Sequence, residues 1–165
     1  MSKNTEANAK EKSVPMDFSP KHILVPVDGS QNSKRALETA LKIAQTYEST
    51  LNIVSVVPFR RMAVESTLGV GASPSYYQYV EEDSKKTVDE AVIFARDKNG
   101  YPNVEGEVVR GSESIVEAIV EYADHVNADL IVIGTRGLGG FKKMLLGSVS
   151  NGVVTHANCQ VLVVR

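Results

Sequence analysis

The stretch that most limits the fold is Leu130-Ile131-Val132-Ile133, an unbroken apolar run that ends at Gly134 in a glycine-studded, basic loop. A continuous apolar run of this length marks a strand buried on both faces, as in a parallel sheet under helices. The loop carries Gly137, Gly139, Gly140 and Gly147 with Arg136, Lys142 and Lys143, and it delivers the chain to Ser148 and a second periodic segment. Ser148 is a preferred N-cap, so the spacing predicts a helix that starts there and aims its free amides back across the loop. Those donors, the helix dipole and glycines that admit close backbone approach suit an anion of the phosphate class. The pattern is neither a Walker loop, because Gly-Lys-Ser/Thr is missing, nor the GxGxxG dinucleotide fingerprint.

The remaining segments supply the partners such a strand needs. His22 to Val27 reads as strand one, with Asp28-Gly29-Ser30 as its turn and Ser30 or Asn32 as the cap of a helix whose Ala36, Leu37, Ala40, Leu41, Ala44 and Tyr47 recur at helical spacing. Pro26 lacks an amide proton and is tolerable only at the strand's last residues. Leu51 to Val57 is strand two, stopped by Pro58. Residues 59–75 have no clear period, and a loop of that length is usually functional or mobile, here a lid or a solvated excursion. Residues 76–98 read as a polar helix with a narrow stripe of Val80, Val88, Ala91, Val92 and Ala95, ended by Asn99-Gly100. Val104 to Val109, with Glu105 and Glu107 alternating, suits a sheet edge. Ser112 or Ser114 caps the next helix, Ser114 with Glu117 fitting a capping box, and Ile115, Val116, Ile119, Val120, Ala123 and Val126 form its apolar face. Asp129 to Ile133 is strand four. Val149, Val153, Val154 and Ala157 mark the last helix, and Gln160 to Val164 is strand five.

Strands alternating with helices mean an α/β fold with a parallel sheet and right-handed crossovers. Such sheets take ligands at the carboxyl ends of their strands, where strand order reverses. The loops after strands one and four are prepared for that place. Asp28 fits either a plain Asx turn beside Gly29 or a carboxylate that accepts from a ligand's amino group or hydroxyls.

Length and charge exclude several functions. The 165 residues suit one domain with a tail, residues 1–20 being polar and aperiodic enough for a disordered arm ahead of a domain over 21–165. No apolar run approaches the roughly 18 residues of a membrane span, and the first residues lack the apolar core of a signal peptide, so a cytoplasmic protein is expected. A net charge of -2 gives no overall pull toward nucleic acid or membrane. One cysteine, Cys159, excludes an internal disulfide and a cysteine-rich zinc site, and reads as a small buried hydrophobe. His22, His125 and His156 join no catalytic constellation, and His156 reads as a cation at a helix end.

Val25-Pro26-Val27-Asp28-Gly29-Ser30, the Gly134-x2-Gly137-x9-Gly147-Ser148 pattern and the terminal Val161-Leu162-Val163-Val164-Arg165 together resemble the universal stress protein family, in unbroken order from about Lys21 to Arg165. The glycine pattern is the signature of its ATP-binding branch. The resemblance implies an open five-stranded parallel sheet of order 3-2-1-4-5 with helices on both faces, Rossmann-like, and a homodimer; an apolar strand 161–164 at the sheet edge would offer the pairing surface. It implies ATP as ligand, with magnesium or manganese carried on the phosphates rather than by protein side chains. Pro26, Asp28 and Val56 match positions at the adenine and ribose end. Ile133, Gly134, Arg136, Gly137, Gly147, Ser148 and Val149 match positions around ribose and phosphates, largely through backbone amides. Gly139 and Gly140 lie in the variable spacer and are not carried over.

The function that follows is a nucleotide-dependent sensor or switch in the stress response, with slow or no hydrolysis and a protein partner the sequence does not name. A slow ATPase, a partner-binding module with another nucleotide or none, and an adenylate-transfer enzyme are the alternatives. The last usually carries His-x-Gly-His or Ser-Gly-Gly-x-Asp-Ser after strand one, where this chain has Asp28-Gly29-Ser30.

Overall fold

The computed structural model describes residues 18–58, 74–111, 114–137 and 146–165. Five strands, β1 (His22–Pro26), β2 (Thr50–Pro58), β3 (Val104–Gly111), β4 (Leu130–Gly134) and β5 (Gln160–Val164), form one parallel sheet in the order β3-β2-β1-β4-β5. Among the described residues the α-helices are α1 (Gln31–Tyr47), α2 (Pro74–Ile93), α3 (Ile115–His125) and α4 (Ser148–His156).

The central strands are apolar because both their faces are covered. Ile23, Val25, Leu51, Ile53, Leu130 and Val132 pack with α1 and α2 in one buried cluster. Leu24, Val54, Ile131 and Ile133 pack with Ile119 and Ala123 of α3 and Val153 of α4 in another. Two of the described helices therefore lie on each face. The alternation of residues along β1 and β4 between the clusters is the strand's period of two.

Two of the predicted serine caps hold their amides. Ser30 accepts from Ser33 N at 3.2 Å to start α1, and Ser114 accepts from Glu117 N at 3.0 Å to start α3. Four sequence expectations need correction. The second helix begins at Pro74, where a proline fits the first turn, and it changes to a π-helical turn over Phe94–Lys98 before Gly100 ends it at φ +65°. Gly147, not Ser148, is the N-cap of α4, and Ser148 is its exposed first residue. Val154 is 47% exposed, because the buried face of α4 runs through Ser150 and Val153 instead. Ala118, outside the predicted stripe of α3, is buried with Ile119 and Ala123.

Phe18 to Pro20, read from sequence as the end of the arm, touch the domain. The Phe18 ring meets Tyr47 edge-on at 5.8 Å, and Ser49 Oγ donates to the carbonyl of the buried Pro20 at 2.7 Å. The rest of the arm, the 59–73 portion of the lid segment, and Gly139, Gly140, Lys142 and Lys143 lie outside the described residues.

Candidate functional site

The strand order reverses between β1 and β4: β1 is followed by β2 on one side, and the chain returns to β1's other side as β4. Pairing of these two strands runs through Ile23 with Leu130 and Leu24 with Ile131, which leaves their carboxyl ends unzipped. Pro26 closes β1 beside that opening, and Val27 N continues the ladder to Val54 O at 2.8 Å. A proline is accommodated there because the amide that bonds β2 belongs to the next residue.

The turn after β1 is held from inside. Gly29 takes φ +79°, a conformation that glycine adopts without strain. Ser30 N donates to Asp28 Oδ1 at 3.0 Å, which closes the Asx turn. Ser33, only 5% exposed, donates from Oγ to Ser30 O at 2.9 Å and accepts from Asp28 N at 3.5 Å. Oδ1 closes the turn, and Oδ2 lies against the loop after β4: a Cβ placed on Gly137 would stand 2.5 Å from it. Asp28 is thus a turn residue through one oxygen and faces the glycine loop through the other, so the two sequence readings of it are compatible.

Three hydrogen bonds tie the end of β4 to its surroundings and to the start of α4. Thr135 N donates to Val164 O at 2.8 Å, Gly147 N to Thr135 O at 2.7 Å, and Ser150 Oγ to Gly134 O at 2.7 Å. The first intrahelical bond runs from Asn151 N to Gly147 O, so the amides of Ser148, Val149 and Ser150 belong to the turn that carries the helix's positive end. Gly147 serves here by closeness to the strand, its amide being taken by Thr135 O. Gly134 has a different duty. A Cβ there would stand 2.7 Å from Asn32 C and 2.8 Å from Asn32 O, so this glycine lets the first turn of α1 lie directly across the end of β4.

Of the ten residues predicted for the site, Asp28 and Gly137 meet across the opening, with Pro26 beside them and Gly134 beneath α1. Gly147, Ser148 and Val149 stand at the start of α4. Arg136 is half-buried and engaged with other groups. Ile133 is 5% exposed and belongs to the α3–α4 core, and Val56 packs half-buried against the same core two residues past the register partner of Pro26. Sequence reasoning weighed Asn32 only as a cap of α1 and missed Ser33, Thr135 and Ser150. Ser33 and Ser150 carried a signal, a second serine close behind an expected cap, whereas the role of Thr135 is set by contacts distant in sequence.

Other titratable groups lie elsewhere. Among the described residues no group of three His, Cys, Asp or Glu is placed to hold a metal ion. His125 packs against Tyr122 with ring centroids 6.1 Å apart, and exposed His156 lies in the last turn of α4. Cys159 is half-buried against the α3–α4 core, and burial, then the Asp124 carboxylate, push its thiol pKa up, which keeps it protonated. Among the described residues no helix is long and apolar enough to cross a membrane.

Comparisons with known proteins point the same way as the geometry. Residues 20–165 match the family model described as the universal stress protein family. The universal stress protein YxiE of Bacillus subtilis is 31% identical over 144 residues, spanning 87% of this chain and 97% of YxiE. A universal stress protein of Archaeoglobus fulgidus solved in complex with dAMP superposes with a TM-score of 0.65 at 25% identity, covering 88% of this chain and 98% of that one. Another universal stress protein, solved in complex with cAMP, gives a TM-score of 0.63 at 27% identity, covering 89% of this chain and 98% of that one.

Proposed function

The chain belongs to the universal stress protein family, and on that premise we propose that it binds ATP at the opening between β1 and β4 and works as a nucleotide-dependent switch with slow or no hydrolysis. The observation that carries this reading is the Asp28 carboxylate lying against Gly137, so close that a side-chain carbon there would collide with Oδ2 at 2.5 Å. An acceptor on one wall, bare backbone on the other and helix amides beyond suit a ligand with a donor-rich nucleoside and an anionic tail. The relatives solved with dAMP and cAMP support an adenine nucleoside.

In this reading Pro26, Asp28 and Val56 serve the adenine and ribose end. Ile133, Gly134, Arg136 and Gly137 follow the ribose and the first phosphates, and the first turn of α4 at Gly147, Ser148 and Val149 receives the tail. Because Gly147 N is engaged by Thr135 O, Ser148 and Val149 offer the phosphate amides. Magnesium or manganese travels on the phosphates and neutralises part of their charge. In this reading ATP acts by favouring one arrangement of the loops, which a protein partner in the cytoplasm reads.

Assembly follows from the sheet. β5 lies at the edge, with Leu162 38% exposed and Val154 of α4 47% exposed. An apolar edge strand invites pairing, and a two-fold homodimer through 161–164 is the self-complementary solution. Light scattering should return twice the chain mass, and a monomer at micromolar concentration would exclude it.

A thermal shift tests the nucleotide reading. Ligand at 100 times its dissociation constant adds roughly 2.7 kcal/mol to the native state. At about 2–4 °C per kcal/mol for a chain of this size, Mg-ATP should raise the melting temperature by about 5–11 °C. The absence of a shift with any adenine nucleotide would leave the partner-binding module, and rapid, saturable phosphate release would make the protein an ATPase.

A further inference from the structure

We propose that the hydroxyl of Thr87, on α2, is a further binding residue of this site and contacts the nucleoside end of the ligand. The inference rests on the nucleotide reading above.

Thr87 is half-buried beside the Asp28–Gly29 turn, with Oγ1 3.6 Å and Cγ2 4.0 Å from the place a Cβ on Gly29 would occupy. Its neighbours Val88 and Ala91 are buried in the core with α1, so α2 cannot roll to turn Thr87 away. The hydroxyl is also unspent. Thr39, Thr46 and Thr155 each donate to the carbonyl four residues back, at 2.9, 2.9 and 2.8 Å. That back-bond is the ordinary fate of a helical threonine. The Thr87 hydroxyl makes no such bond, nor any other hydrogen bond among the described residues. Its oxygen instead stands within van der Waals reach of the place a Gly29 side chain would occupy, beside the Asp28–Gly29 turn.

Placement selects the nucleoside. α2 packs over the β2–β3 half of the sheet, whereas α4, whose first turn suits the phosphates, packs over the β4 half. Asp28 lies between them at the end of β1. A nucleotide that reaches from α4 to Asp28 and continues past Gly29 therefore presents its base or ribose to Thr87. A hydroxyl can donate to or accept from either.

The full-length chain is titrated calorimetrically with Mg-ATP and with AMP, as wild type, Thr87→Val and Thr87→Ser. Valine keeps the shape and deletes the hydroxyl, and serine keeps the hydroxyl. Loss of one neutral hydrogen bond should weaken both nucleotides about threefold to tenfold in Thr87→Val. Thr87→Ser should bind as wild type, and all three apo proteins should melt within about 2 °C of one another, as surface changes do. Wild-type affinity in Thr87→Val would overturn the inference, as would a loss confined to ATP or an equal loss in Thr87→Ser. If wild type binds neither nucleotide, the proposed function falls and takes this inference with it; if wild type binds and Thr87→Val binds equally, only the inference falls.

Discussion

Gly134→Ala is expected to lower the melting temperature of the ligand-free protein by about 6–12 °C. The cause is contact, since Gly134 is not among the residues of positive φ. Its new methyl carbon would stand 2.7, 2.8 and 2.9 Å from Asn32 C, O and Cβ. Two of those atoms are backbone in the first turn of α1, so no rotamer change relieves the clash, and either α1 or the end of β4 has to shift. Overpacking of a tight contact costs about 1–3 kcal/mol, and an immovable partner places this site at the upper end. At about 2–4 °C per kcal/mol that gives the stated drop. Gly100→Ala makes the contrast: φ is +65° there and nothing lies within 4 Å. It should lose only the roughly 1–2 kcal/mol of a left-handed non-glycine residue. Differential scanning calorimetry on both variants separates the two causes. A Gly134→Ala protein that melts within 2 °C of wild type would mean that α1 does not press on β4 as described.

The consequence for the site is direct. The same turn of α1 that covers Gly134 follows Asp28-Gly29-Ser30, so displacing it moves the carboxylate as well. In this fold one glycine lies against Asn32 and the next, Gly137, against the Asp28 carboxylate, though in sequence both are members of one phosphate-like pattern. That distinction was not legible in the chain, because Asn32 and Asp28 lie more than a hundred positions away from the glycines they face. What was legible rests on periodicity. The doubly covered strands β1 and β4, the amphipathic α1 and the caps at Ser30 and Ser114 follow from local patterns that tertiary contacts reinforce. The family pattern supplied the order of the strands. Ser148 misled because a serine after glycine satisfies the local rule for a cap, while the actual start of α4 is fixed one residue earlier by the bond from Gly147 N to Thr135 O. Val154 misled because valine fits an apolar stripe, and the burial of Ser150 through its bond to Gly134 O turned the helix the other way. The widened turn over Phe94–Lys98 has no signature in the spacing of apolar residues.

Gly137→Ala should act on binding and spare the fold. Its methyl carbon would come within 2.5 Å of Asp28 Oδ2 but no closer than 3.7 Å to the next atom, Asp28 Cγ. The carboxylate is the movable end of an exposed side chain, so it yields, and the ligand-free protein should melt within about 2 °C of wild type. Yielding takes Oδ2 away from the opening, which is the group that Asp28→Asn alters chemically while keeping the turn to Ser30 N. If that oxygen accepts from the nucleoside, each single variant forfeits a charged hydrogen bond of about 1.5–3 kcal/mol, or about tenfold to a hundredfold in affinity. Since both act on one contact, the losses should not add.

The decisive measurement is calorimetric titration of Mg-ATP into wild type, Gly137→Ala, Asp28→Asn and the double variant. The account predicts saturable binding by wild type, a comparable loss in each single variant, and a double variant scarcely weaker than the worse of the two. Unchanged affinity in Asp28→Asn, or losses that multiply in the double variant, would contradict a nucleotide held by the Asp28 carboxylate where it meets Gly137.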